Sequence, residues 1–215
     1  MAAGVVLKHK RKLTPFVGGE LQSGELGLNT VLGVWHFSSD GSTVSSLDRP
    51  NNAAVTDQTI NANSSALLAG STIAIPPSKL RIGTMLRWRL SVSKTAAGTA
   101  ANTFIFRLGT AGTISDPAII TFTMPVGTAV VDTGEIDITV TIRGPLSASC
   151  VAQGLLRMSH NLSATGLATV PNVVLKVTSG TFNATTAGLI ASLSCTTAAS
   201  TVFTFQQVQA EAINC

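Results

Sequence analysis

Strict alternation of apolar and polar side chains is the feature that most narrows what this chain can fold into. In Leu86 to Ser93 the apolar residues Leu86, Trp88, Leu90 and Val92 alternate with Arg87, Arg89, Ser91 and Ser93. In a strand, successive side chains point to opposite faces, so this spacing predicts one buried face and one wet face of a sheet. Ile136, Ile138, Val140 and Ile142 alternate with Asp137, Thr139, Thr141 and Arg143 and predict the strongest strand in the chain. Phe104, Phe106 and Leu108 repeat the pattern with Arg107 outward, and Val173, Leu175 and Val177 do so with Lys176 outward.

Weaker strands are expected over Ser71 to Ile75, Ala118 to Thr123, Val151 to Ser159, Leu189 to Thr196 and Thr201 to Ala210, for eight or nine in all. The intervening segments are rich in Gly, Pro, Asn and Asp, and no amphipathic helix separates them. Parallel β/α folds are thereby disfavoured, and strands without helices must cover each other's apolar faces. The expected fold is all-β: an antiparallel, jelly-roll-like β-sandwich over residues 49 to 215, preceded by a short β-containing arm over residues 1 to 48. The turn-forming run Asp48 to Asn52, D-R-P-N-N, marks the junction to within several residues.

Composition bounds the function. Only 11% of the residues are charged, and the presumed wet faces are mostly Thr, Ser and Ala, fewer charges than an isolated monomer normally shows. The expectation is a homo-oligomer, with a trimer as first choice. The net charge of +4 is carried by Lys8, Lys10, Arg11 and Lys12, after which positive and negative residues balance. A basic tail on a neutral body argues against nucleic acid as partner and for an arm that is solvated or docks on an acidic protein surface. Apolar stretches fall far short of the roughly 18 residues of a membrane-spanning helix, and no secretory signal pattern opens the chain, so cytoplasmic synthesis and no membrane partner are expected.

Three cysteines, Cys150, Cys195 and Cys215, form no C-x-x-C pair; the first two read as small apolar residues, and Cys215 as a free thiol or an inter-subunit link. His9, His36 and His160 lie in separate segments without metal-ligand spacing, so no metal and no cofactor are expected; His160 reads as an ordinary strand-end residue. Asp132, Glu135 and Asp137 raise the question of a glycosidase carboxylate pair, but D-T-G-E reads more simply as a solvated turn entering a strand. There is no G-x-S-x-G elbow, and L-G-T-A-G-T lacks a phosphate-loop ending and reads as a hairpin turn. The expectation is a chain that is not an enzyme. Arg87 and Arg89, side by side on one strand face, form the candidate surface binding patch, suited to sugar acids or to carboxylates of a neighbouring subunit; salt bridges within the sheet are the plainer reading.

Residues Leu7 to Val44 read L-K-H-K-R-K-L-T-P-F, then G-E-L-Q-S-G-E-L-G-L-N-T-V-L-G-V-W-H-F, then S-S-D-G-S-T-V. This resembles the N-terminal segment of bacteriophage tail-fibre and related virion proteins, in which a basic opening precedes a G-E-L-x-x-N-T motif, a short aromatic strand and a D-G turn. Gly24, Glu25, Leu26, Leu28, Asn29 and Thr30 match the central motif, Trp35 and Phe37 the aromatic strand, and Asp40 and Gly41 the turn. The resemblance implies a structural virion protein made in the bacterial cytoplasm. It assigns virion attachment to Lys8, Lys10, Arg11, Lys12, Gly24, Glu25, Leu26, Leu28, Asn29, Trp35 and Phe37. Other virion proteins, and a host surface glycan, are the implied partners. Two placements are compatible with it: a tail fibre or tail-associated host-binding component, and a capsid decoration or head-fibre protein forming trimers on the capsid.

Overall fold

The computed structural model describes residues 9–12, 17–23, 25–30, 34–38, 45–46, 50–76, 79–95 and 97–215. They fall into two compact units, one up to Arg49 and one from Pro50. No helix occurs among the described residues.

The first unit is a small sheet of β1 (His9–Lys12), β2 (Glu25–Asn29), β3 (Val34–Ser38) and β4 (Ser45–Ser46), paired in that order. β1 runs parallel to β2, and the other pairs are antiparallel. The E-L-G-L-N run of β2 sends Leu26 and Leu28 to one face, where they stay half-exposed, while Glu25, Gly27 and Asn29 on the other face are buried. Polar residues hold the better-covered face because Glu25 is tied down there. Its carboxylate lies 2.9 Å from Lys10 Nζ and accepts the Gln22 N–H at 2.8 Å.

The second unit holds the strands the alternation predicts. Its large sheet contains β5 (Asn51–Ala54), β6 (Gln58–Ile60), β9 (Met85–Lys94), β12 (Asp132–Gly144), β13 (Val151–His160), β14 (Asn172–Thr178) and β16 (Phe203–Ile213). The order is β14-β13-β12-β9-β16-β5, with β6 also on β16. The smaller sheet contains β7 (Ser65–Leu67), β8 (Ile73–Ala74), β10 (Thr103–Gly109), β11 (Ala118–Thr123) and β15 (Ile190–Thr196), ordered β11-β10-β15-β7 with β8 on β15. All pairs in both sheets are antiparallel. The protein is a jelly-roll-like β-sandwich.

Two expectations need correction. The run Asp48 to Asn52 is not wholly a linker, because Asn51 and Asn52 open β5 and pair with Glu211 and Ala210. The strands also exceed the expected eight or nine. β5 and β6 are two pieces of one broken edge strand along β16, and β7 and β8 do the same along β15. β8 lies within the strand expected over Ser71 to Ile75, whereas β5, β6 and β7 are too short to show a period of their own.

The core lies between the sheets. Trp88 is fully buried, 5.6 Å from Phe106 between ring centroids, and its Nε1–H donates to the Ser71 carbonyl at 2.7 Å. Phe104, Phe203 and Phe205 pack beside them with centroids 6.0–6.5 Å apart. Gly154 faces inward on β13, where a Cβ would stand 2.5 Å from Phe122 Cζ of the opposite sheet. Gly154→Ala is therefore expected to destabilise the sandwich by about 1–3 kcal/mol through overpacking. Urea unfolding measures this, and an unchanged midpoint would show that the sheets part freely at this point.

Cys195 is buried in β15 and Cys150 pairs with Phe182 in a single bridge, and burial raises both thiols above the ordinary range. Cys215 is half-buried; burial raises its thiol too, partly offset by Arg81 and Lys79. A thiol reagent added to the folded protein is expected to modify Cys215 first and Cys195 only on unfolding. Intact mass followed over time checks the order.

Candidate functional site

The outer face of the large sheet gathers the polar residues that the alternation turns away from the core. Cross-strand register sets Gln209, Arg89, Asp137, Arg157 and Val174 in one row over β16, β9, β12, β13 and β14. The neighbouring row is Gln207, Ser91, Glu135, Ser159 and Asn172. Together they line an open trough of about 670 Å³. Arg87 sits one pleat further along β9, beside a second hollow that includes Asn51, Gln209 and Glu211.

A β-bulge shapes one side of this trough. Between Phe205 and Gln207 the register of β16 on β9 shifts by one residue. Phe205 and Val208 both remain buried, while Gln206 is half-exposed and Gln207 exposed. The extra residue brings two adjacent amides to the wet side without turning the next apolar residue outward. Gln206 is anchored, its amide donating to Ser93 Oγ at 2.9 Å. Gln207 and Gln209 make no side-chain hydrogen bond among the described residues and are left for solvent or a ligand.

The arginine patch divides in two. Arg87 is an intra-sheet ion pair: its Nε donates to both Asp137 oxygens at 3.0 and 3.3 Å, and its terminal nitrogen also contacts that carboxylate. Hydrogen bonding to Asp137 raises the Arg87 guanidinium above its usual value against the opposing effect of burial. Arg89 remains 59% exposed and reaches Asp137 only at 3.6 Å. Arg157 on the other side of Asp137 is exposed and has no hydrogen bond or ion pair among the described residues. Sequence reading missed Arg157, because no alternation of its own strand links it to Arg89.

Glu135 and Asp137 do share this outer face, as their spacing implies, but Asp132 does not belong to a solvated turn. It is buried at the start of β12, its carboxylate 2.6 Å from His160 Nδ1, and both side chains are fully enclosed. Asp132 also accepts the N–H groups of Leu167 at 2.9 Å and Thr133 at 2.8 Å. His160 Nε2 lies 2.7 Å from the Val170 carbonyl, which can only accept, so that nitrogen carries a proton. Lys94, 2% exposed, completes the cluster by donating to the carbonyls of Thr95, Thr128 and Val130. Burial lowers its ammonium below the ordinary lysine range, and Asp132 partly offsets this. His160 is thus no ordinary strand-end residue; with Lys94 and Asp132 it knots the loops over residues 125–131 and 161–171 to the sheet ends.

In the N-terminal unit, Lys10 pairs with Glu25 and donates to the Glu20 carbonyl at 2.7 Å, while Lys12 contacts the Glu20 carboxylate. The Lys12 contact and the Val17 N–H hold Glu20 below its usual carboxylate range. Arg11 is exposed. Backbone register sets Trp35 opposite Leu28 and Phe37 opposite Leu26. Lys8, Gly24, Asp40 and Gly41, and the side chains of Trp35 and Phe37, lie outside the described residues. Among the described residues no three His, Cys, Asp or Glu side chains cluster as metal ligands.

No family model matches the chain, and no curated protein matches it. Among solved structures the similarity is weak. A protein of unknown function from Shewanella oneidensis MR-1 is 10% identical, with 78% of this chain and 89% of that one covered and a TM-score of 0.33. A Bauhinia forficata lectin in complex with GalNAc is 10% identical over 77% of this chain and 99% of its own, with a TM-score of 0.31. An alginate lyase bound to an alginate trisaccharide is 12% identical over 90% and 95%, with a TM-score of 0.33.

Proposed function

We propose that this chain is a structural, non-enzymatic bacteriophage virion protein of the tail-fibre or tail-associated type. Residues 1–48 attach it to the particle, and the sandwich, as a homotrimer, meets the host surface. The observation that carries this reading is the trough on the large sheet, where Glu135, Arg157, Gln207 and Gln209 stand open to solvent without side-chain partners among the described residues. Polar groups that stabilise nothing in the fold are what a recognition face requires. The resemblance over Leu7 to Val44 supplies the virion context. The half-exposed Leu26 and Leu28 on a sheet too small to cover them supply a reason for docking.

Against catalysis, the trough has no histidine, lysine, cysteine or tyrosine along its described walls, and Asp137 is committed to Arg87. A lone Glu135 does not supply both the acid and the base of a hydrolase.

Labelling the protein on parent particles and imaging them by electron microscopy tests the placement. Signal on the tail is the expected result. Uniform signal on the head would replace it with capsid decoration, where the sandwich clamps capsid subunits. Deleting residues 1–48 is expected to leave a folded sandwich that no longer enters particles; continued entry would move attachment to the sandwich.

A further inference from the structure

Two exposed guanidiniums stand in the trough, neither held by a side-chain hydrogen bond among the described residues. The register places Arg89 and Arg157 on either side of Asp137, one strand away in each direction. With strands about 4.8 Å apart, their Cα atoms stand roughly 10 Å apart on a line that crosses the strands. Asp137 is hydrogen-bonded to Arg87 and reaches Arg89 only at 3.6 Å, without a hydrogen bond, while Arg157 has no ion pair among the described residues. The adjoining row offers Gln207, Glu135 and Asn172, none with a side-chain hydrogen bond among the described residues.

We infer that the trough binds a carboxylated oligosaccharide laid across the strands, its carboxylates on Arg89 and Arg157 and its hydroxyls on Gln207, Glu135 and Asn172. A guanidinium offers two parallel N–H groups that match a carboxylate. Amide side chains both donate and accept, as hydroxyls do. Glu135 decides between a sugar acid and a bare polyanion. It repels a chain whose second row of contacts is also anionic, whereas it accepts hydrogen bonds from sugar hydroxyls. This binding stands apart from the virion reading, since it concerns the purified chain and not its place on a particle.

The test is calorimetric titration of the full chain with tetrasaccharides of the common uronic acids, with the same tetrasaccharides after reduction of their carboxyls to alcohols, and with a tetraglutamate peptide. At least one uronate is expected to bind, its reduced form at least about tenfold more weakly, and the peptide not at all. Arg89→Ala and Arg157→Ala are each expected to weaken uronate binding about tenfold without moving the urea midpoint. Absence of binding to every uronate, equal binding of the reduced sugar, peptide binding as tight as the sugar's, or indifference to both arginine changes would each overturn the inference. Particle incorporation, scored separately, reports on the attachment segment and is not expected to change with either arginine.

Discussion

Replacing Asp132 with alanine is expected to remove about 3–5 kcal/mol of stability, a large share of the roughly 5–15 kcal/mol that holds a domain together. The carboxylate is fully enclosed and serves four groups at once: His160 Nδ1, the N–H groups of Leu167 and Thr133, and, through space, Lys94. Its loss leaves His160 Nδ1 without its hydrogen-bond partner and the enclosed Lys94 ammonium without the carboxylate that partly offsets its burial. No helpful relaxation is at hand, because Gly166, at φ +90°, packs so close that even an added Cβ would stand 2.3 Å from Asp132 Oδ2. Urea unfolding followed by tryptophan fluorescence measures the loss. The double change Asp132→Ala with His160→Ala is expected to cost less than the sum of the two, since the partners fail together. Simple additivity would mean that the two side chains act independently.

Trp88→Ala is expected to cost a similar amount, about 3–5 kcal/mol, by opening a cavity between the sheets. The indole fills the space against Phe106 and caps the Ser71 carbonyl at 2.7 Å, so its removal strands a buried acceptor as well. Ser71 links the edge pieces to the core: its own hydroxyl donates to the Leu193 carbonyl and accepts the Leu193 N–H. Trp88→Phe restores most of the volume and not the hydrogen bond, and is expected to recover more than half of the loss. Equal losses for the two variants would assign the stabilisation to the hydrogen bond and not to packing.

The long strands were legible because one period runs through each. Leu86 to Val92 and Ile136 to Ile142 point to a common core, and the structure adds only a residue or a few at the ends of each. Edge pieces such as Asn51–Ala54 were not legible, since N-N-A-A carries no apolar period. The bulge left a trace in the sequence. Phe203 and Phe205 keep step with each other, Val208, Ala210 and Ala212 keep step among themselves, and the two sets are one residue out of phase. Arg89 could be chosen from its own strand, but its relation to Arg157 exists only through the register of β12 with both neighbours. The Asp132–His160 pair, 28 residues apart, is legible for the same reason only once β12 and β13 are aligned.

The position of β16 bears on how the protein is made. It is the last strand in chain order, yet it lies inside the large sheet, between β9 and the β5–β6 edge, with Glu211 against both Arg87 and Asn51. As the chain leaves the ribosome, β9 can find β12 early, but its other side stays open until Phe203–Ile213 emerges. The arginine-bearing strand therefore waits as an unfinished edge while the strands between it and β16 are made. Such an edge invites pairing with another nascent chain. Slow closure of this sheet, and yields that improve when expression is slowed or cooled, are what this strand order implies.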